Sequence, residues 1–321
     1  MPRRRSTWTQ NASVRTHKRS RPLQSSRARS RLKRNHPRVA RASVKRVERA
    51  TMEYVSFEGL RLDGRRANEI RRPRHAFAID AQCDGSARFE LGNTVIECRV
   101  DGPSERKFGG AEEGASEACA LTCSHGRSAF ASDGVQAGRK GDGRSKQFES
   151  VLAKALTSAV CVDLMPRCEV QVRTTVLCDD GGARAASACA AVLALADAGI
   201  PLKGIIGSCT VGHLDGEALI DVNRDEERGR GPELWTCALS AGDVPDDDEN
   251  EDDGEDHLMG ATGNHITVIV EELERGKTTM ETFKSMHDLA LAGCETSARY
   301  LRISLRARTR ALAATRALEK F

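Results

Sequence analysis

The chain has 321 residues, 39% of them hydrophobic, which suffices for one or two domains with a proper core, and a formal charge of +4. No apolar run approaches the roughly 20 residues a membrane-spanning helix needs, so a soluble protein without a membrane partner is expected. Eleven cysteines, an odd number scattered singly, lack the repeated CxxC spacings of a zinc site; they fit free thiols in a reducing compartment.

The charge is unevenly placed. Residues 1–50 hold 17 Lys or Arg against the single acid Glu48, so the remaining chain is net acidic. This Arg- and Ser-rich stretch has almost no apolar periodicity and is expected to be disordered. Residues 1–51 are read as a basic extension: an RNA-binding arm, an organelle transit peptide, or an upstream segment absent from the working protein. The ordered pattern opens at Met52-Glu53-Tyr54, and residues 52–321 are read as one domain.

Ser86 to Glu90 and Thr94 to Asp101 read as a hairpin joined at Leu91-Gly92-Asn93. A Gly-rich charged stretch from Gly109 to Gly143 follows, interrupted by strand-like Ala118 to Cys123 and Ser128 to Ala131. Phe148, Val151, Leu152, Ala155 and Leu156 then share one helical face. Glu169 to Cys178 alternates Val170, Val172, Thr174 and Val176 on one side of a strand. The alanine-rich segment Ala183 to Ala198 reads as a buried helix stopped by Gly199-Ile200-Pro201. Ile205 to Val211 and Glu217 to Val222 form a hairpin around Asp215-Gly216. Trp235 to Leu239 and His265 to Leu273 add strands on either side of residues 243–256, where ten acids predict a solvated loop. That loop lacks the Asp-x-Asp-x-Asp-Gly spacing of a calcium site. A final helix is predicted from an N-cap at Thr278 with Glu281 completing a capping box. Mixed strands and helices with antiparallel hairpins indicate an α+β fold.

Three features carry candidate chemistry. Asp179-Asp180-Gly181-Gly182-Ala183-Arg184 leads into a helix N-terminus, whose partial positive charge opposes a cation in the first turn unless an anion is present; this predicts a phosphate site. Arg139, Lys140, Arg144 and Lys146, interleaved with glycines, suit contact with a polyanion backbone, which the resemblance described below makes RNA. Asp221 to Glu227 places carboxylates at a strand end, where they can act as general acids or hold a cation.

Asp63-Gly64-Arg65-Arg66, Asp84-Gly85-Ser86-Ala87, Leu91-Gly92-Asn93-Thr94, Asp180-Gly181-Gly182-Ala183-Arg184, Ala196 to Pro201 and Asp215-Gly216 together resemble the RNase PH-type phosphorolytic exoribonucleases. Met165-Pro166-Arg167 and Gly231-Pro232 favour the branch of exosome core subunits. The resemblance covers roughly residues 52 to 310 and implies a fold related to ribosomal protein S5 domain 2. It also implies a six-membered ring with other RNase PH-type subunits, RNA-binding cap subunits, and residence in the nucleus, the nucleolus and the cytoplasm.

The implied reaction is attack of inorganic phosphate on the last phosphodiester of an RNA 3′ end, with magnesium as a conceivable helper. Carried over by position, Gly182, Ala183 and Arg184 bind phosphate, Lys146 is a basic position preceding Glu149, Asp221 protonates the leaving oxygen, and Glu227 is the second acid. Two departures stand out: Ala183 replaces a Ser or Thr of active relatives, and Glu227 replaces an Asp. Three readings follow: an active phosphorolytic ring subunit, toward which Arg184 and Asp221 tip the balance; a silent ring scaffold; and a free-standing homohexameric tRNA 3′-end nuclease.

Overall fold

The computed structural model describes residues 54–105, 119–131, 143–229, 231–241, 265–274 and 276–318. The predicted extension 1–51, the acidic loop 243–256, and Arg139 and Lys140 lie outside these residues.

Nine strands form two sheets. The first contains β1 (Pro73–Phe77), β2 (Gly85–Leu91), β3 (Thr94–Glu105), β4 (Ala120–Arg127) and β5 (Cys168–Cys178), in the order β1-β2-β3-β5-β4. Its pairs are antiparallel except β4 with β5, which run parallel because α1 (Gly143–Ala159) makes the crossover between them. The α+β class is present with a single βαβ unit inside it. The second sheet is antiparallel, ordered β7 (Glu217–Ile220), β6 (Ile205–Leu214), β8 (Glu233–Ala241) and β9 (His265–Glu274).

Strand alternation sets which faces meet. On β5, Val170, Val172, Thr174 and Val176 are buried while Gln171 and Arg173 between them are exposed. Helix α2 (Ala183–Asp197) contacts strands of both sheets, so residues 185–195 are all buried. Its small side chains let two sheets close on one helix. Helix α1 buries Phe148, Leu152, Ala155, Leu156 and Ala159. Sequestering each of its large apolar side chains stabilises the fold by about 1.5–3 kcal/mol.

Helix α4 (Met280–Leu318) packs against β6 and β8. Contact is closest at Gly207, where a Cβ would stand 1.9 Å from the Cys294 carbonyl oxygen. The helix and strand can approach this far only over a glycine.

Three local expectations change. Ser128 to Ala131 is a turn closed by the Ala131 N–H donating to the Ser128 carbonyl at 3.0 Å, not a strand. The cap of α4 is Thr279, whose Oγ1 accepts from the Thr282 N–H at 3.2 Å, one residue beyond the predicted Thr278. Thr282, not Glu281, therefore occupies the third helical position, so no Ser/Thr-x-x-Glu box forms. Strand β1 was missed because only Phe77 of its five residues carries a large apolar side chain.

Candidate functional site

The site lies where β5 hands the chain to α2. After Cys178 the backbone turns through Gly181 and Gly182, both at positive φ, and Gly182 caps the helix without help from a side chain. A Cβ on Gly181 would stand 2.5 Å from the Asn223 carbonyl carbon and 2.6 Å from the Val222 oxygen. The turn and the segment carrying the acids are therefore packed backbone to backbone. The Arg224 N–H donates to the Asp180 carbonyl at 3.0 Å, joining them further.

That acid segment follows a two-residue hairpin turn, Asp215 and Gly216, both at positive φ. Beyond β7, Asp221 also adopts a positive φ, of 51°. The short helix α3 (Arg224–Glu227) begins with a capping box in which Asn223 and Glu226 each accept the other's backbone N–H. Buried Arg61 donates to both oxygens of the buried Glu226 and to the carbonyls of Ile220 and Asp221, at 2.6 and 3.0 Å for the latter two.

Arg71 binds the two halves together. Its Nε and Nη2 donate to Asp221 Oδ2 and Oδ1 at 2.8 and 2.7 Å, while its Nη1 and Nη2 reach the carbonyls of Asp180 and Gly181 at 2.9 and 3.0 Å. The Arg71 backbone N–H gives the Asp221 carboxylate a third donor, at Oδ2 and 2.9 Å. Arg65 Nη1 approaches the same oxygen at 3.4 Å. Burial alone would lower the Arg71 pKa, but the hydrogen bonds and charge of Asp221 outweigh it and raise that pKa. Thr94 Oγ1 completes the frame, donating to the Gly181 carbonyl at 2.7 Å and accepting from the Asp180 N–H at 3.1 Å.

Gly182, Asp221 and Glu227 thus come together: Glu227 Oε1 accepts the Gly182 N–H at 2.8 Å. Ala183 is the first residue of α2. Arg184 is directed elsewhere. Its guanidinium pairs with Glu272, at 3.1 Å, and with Glu274, two residues apart on β9. It also lies 5.5 Å from the Phe148 ring centroid and 6.0 Å from that of Trp235. The anion demanded by an arginine at this helix start is supplied within the chain.

Arg144 and Lys146 are exposed in the first turn of α1, and the adjacent Gln147 bonds to the same Glu272. Among the described residues no group of three or more His, Cys, Asp or Glu side chains could hold a metal ion. Arginine donors surround Asp221, so these residues do not fit magnesium there.

Sequence reasoning missed Arg61, Arg71, Glu272 and Glu274, and met Glu226 only as one carboxylate of the Asp221 to Glu227 segment. The two β9 glutamates carry a period-two signal that places them on one face, but nothing local says which cation they meet.

His125 lies beside this charged cluster. Burial first, then the charges of Arg127 and Arg184, push its pKa down to about 4. The unfolded imidazole takes up a proton near pH 6.5 while the folded one resists, so its contribution is present above pH 6.5 and is lost as pH falls toward 4. His125→Gln is expected to flatten the decline of urea-unfolding stability between these pH values, by about 2 kcal/mol after allowance for partial exposure. Equal slopes for parent and variant would remove His125 from the acid response.

A sequence profile described as the 3′ exoribonuclease family, domain 1, matches residues 69–201. The exosome complex component RRP41 homolog of Arabidopsis thaliana is 35% identical over 266 residues, covering 83% of this chain and all of that protein. Among solved structures, rice Rrp46 superposes with a TM-score of 0.59 at 21% identity, covering 76% of this chain and all of that one. An Archaeoglobus fulgidus exosome with RNA bound to its active site gives 0.58 at 21%, covering 77% and 93%.

The chain therefore belongs to the RNase PH family of 3′ exoribonucleases, and its mixed sheets with packed helices are that family's fold. Within the family it is homologous to the eukaryotic exosome subunit RRP41.

Proposed function

We propose that this chain is a core ring subunit of an RNA exosome, serving RNA processing and degradation as ring structure and contributing no phosphorolysis of its own. Its homology to exosome subunits supports the ring and RNA parts of this reading. It also implies partnership with other RNase PH-type subunits and RNA-binding cap subunits, in the nucleus, the nucleolus and the cytoplasm.

The observation that carries the silent half is the capture of Arg184 by Glu272 and Glu274. Phosphorolysis brings a phosphate anion to an anionic diester, forms a new P–O bond, expels the 3′ oxygen and needs a proton delivered to it. Such a step requires surplus positive charge at the helix start. Here Arg184 is neutralised, the Gly182 N–H is taken by Glu227, residue 183 offers no hydroxyl, and both Asp221 oxygens accept from Arg71.

A second reading, active phosphorolysis, is favoured by one observation: the same turn, Asp221 and Glu227 remain in one cluster. Phosphate would then have to displace Glu272 and Glu274 from Arg184.

Incubating the ring-assembled protein with single-stranded RNA, with and without phosphate, separates the two. The expected result is no phosphate-dependent release of nucleoside diphosphates. Release that Arg184→Ala abolishes would replace the silent reading with the active one. The native mass of the assembly, mixed ring against homohexamer, distinguishes an exosome subunit from a free-standing tRNA-trimming enzyme.

A further inference from the structure

Strand β4 is held on one side only. Among the described residues it pairs with β5 and with no other strand, so it forms an edge of its sheet. Open strand edges are liabilities that folds manage with some added device. Here two cysteines stand at the start of the pairing.

The parallel register begins with Ala120 opposite Glu169 and runs to Arg127 opposite Val176. One step before it, Cys119 stands opposite Cys168, the first residue of β5. Cys119 is buried in the main core, and the half-buried Cys168 packs against the same cluster. Six residues further along that face, the opposed pair His125 and Thr174 has its side chains in contact, Nδ1 to Oγ1 at 2.9 Å. Facing side chains in this ladder therefore meet. Adjacent strands lie about 4.8 Å apart, within the Cα separation of about 4.4–6.8 Å that a disulfide spans. No other two cysteines stand opposite one another in the described strand pairings. Burial first, then the charges of Cys168 and Glu169, push the Cys119 thiol up. That rise keeps Cys119 protonated near neutrality, so the more open Cys168 is the thiol an oxidant reaches first.

We propose that Cys119 and Cys168 are a thiol pair that hydrogen peroxide converts to a disulfide, clipping the edge strand β4 to β5. Peroxide oxidises the Cys168 thiol to a sulfenic acid and releases water. The Cys119 sulfur then gives up its proton and attacks the Cys168 sulfur; the S–S bond forms, the S–O bond breaks, and the oxygen departs as a second water. Two electrons pass from the two thiols to one peroxide, and a reducing dithiol reverses the step. Each sulfur forfeits only a weak contact, Cys119 with the Ala120 carbonyl at 3.9 Å and Cys168 with the Pro166 carbonyl at 3.5 Å. The bond closes a loop over residues 119–168, which contains β4 and α1 whole. It anchors the near end of the strand whose far end, through Arg127 and Asp179 at 2.7 Å, braces the glycine turn. This chemistry is independent of the ring reading.

The full chain is treated with hydrogen peroxide or with dithiothreitol, its remaining thiols are capped with iodoacetamide in denaturant, and its peptides are weighed. The expected product is one peptide pair joined through Cys119 and Cys168, lighter than the two free peptides by two hydrogens and absent from the reduced sample. Closing so long a loop is expected to raise the thermal midpoint of the oxidised chain by about 5–15 °C. Cys119→Ser and Cys168→Ser should each remove that rise, while Cys178→Ser, which alters the most open thiol, should keep it.

Recovery of Cys119 as a free thiol after oxidation would overturn the proposal whatever the variants do, whether Cys168 is then free, joined to another cysteine or carried on to the sulfinic acid. A link between Cys119 and Cys168 found only in covalent dimers would also overturn it, since the bond would then join two chains and not two strands.

Discussion

Replacing Arg71 with leucine is expected to destabilise the protein by about 3–5 kcal/mol, measured as a lower urea midpoint at unchanged slope. The side chain of Arg71 is 8% exposed and that of Asp221 is 2% exposed, so the deletion strands a buried carboxylate without its main donors. The carbonyls of Asp180 and Gly181 lose their Arg71 donors in the same step. Much of this penalty belongs to the uncompensated charge. The double variant Arg71→Leu, Asp221→Leu is therefore expected to recover a large part of it. If the double variant is as unstable as the sum of the two singles, Arg71 acts through packing and not through its partner.

Gly181→Ala is expected to cost about 2–5 kcal/mol, combining roughly 1–2 for a left-handed backbone with roughly 1–3 for overpacking. Gly216 supplies the control, since it shares a positive φ, 91° against 88°, but has nothing within 4 Å of where a Cβ would stand. Alanine at Gly216 should incur the conformational share alone. Similar losses at both positions would mean that the close packing of the turn on Val222 and Asn223 is soft. The larger loss at Gly181 would instead show that the turn and the acid segment move as one body, which is what keeps Glu227 on the Gly182 N–H.

Much of this was legible in the chain. Alternation on β5, the helical stripe of α1 and the alanine run of α2 each follow a local period, so they could be read without a partner in view. The glycine turn and the Asp221 segment were equally visible as punctuation between those elements. Long-range pairing was not. Arg71 lies 150 residues from Asp221, and Arg184 meets Glu272 across 88 residues, separations at which no periodic signal survives. An arginine in the first turn of a helix calls for an anion, and a bound phosphate and a carboxylate supplied by β9 meet that need alike. Glu272 and Glu274 come beside Arg184 only through the pairing of β9 with β8.

Sulfur chemistry offers a different use of the same corner. Burial pushes the thiols of Cys189 and Cys237 up to about 12, and burial with the nearby Glu149 charge does the same for Cys123. Such thiols supply little thiolate near neutrality and react slowly with electrophiles. Cys178 alone among the eleven is exposed, and it ends β5 one residue before the Asp179-Asp180 turn. The most open thiol of the protein thus stands at the threshold of its anion turn, with Cys83, Cys123, Cys161 and Cys168 half-buried elsewhere, so a probe attached at Cys178 would report on that turn without an engineered cysteine.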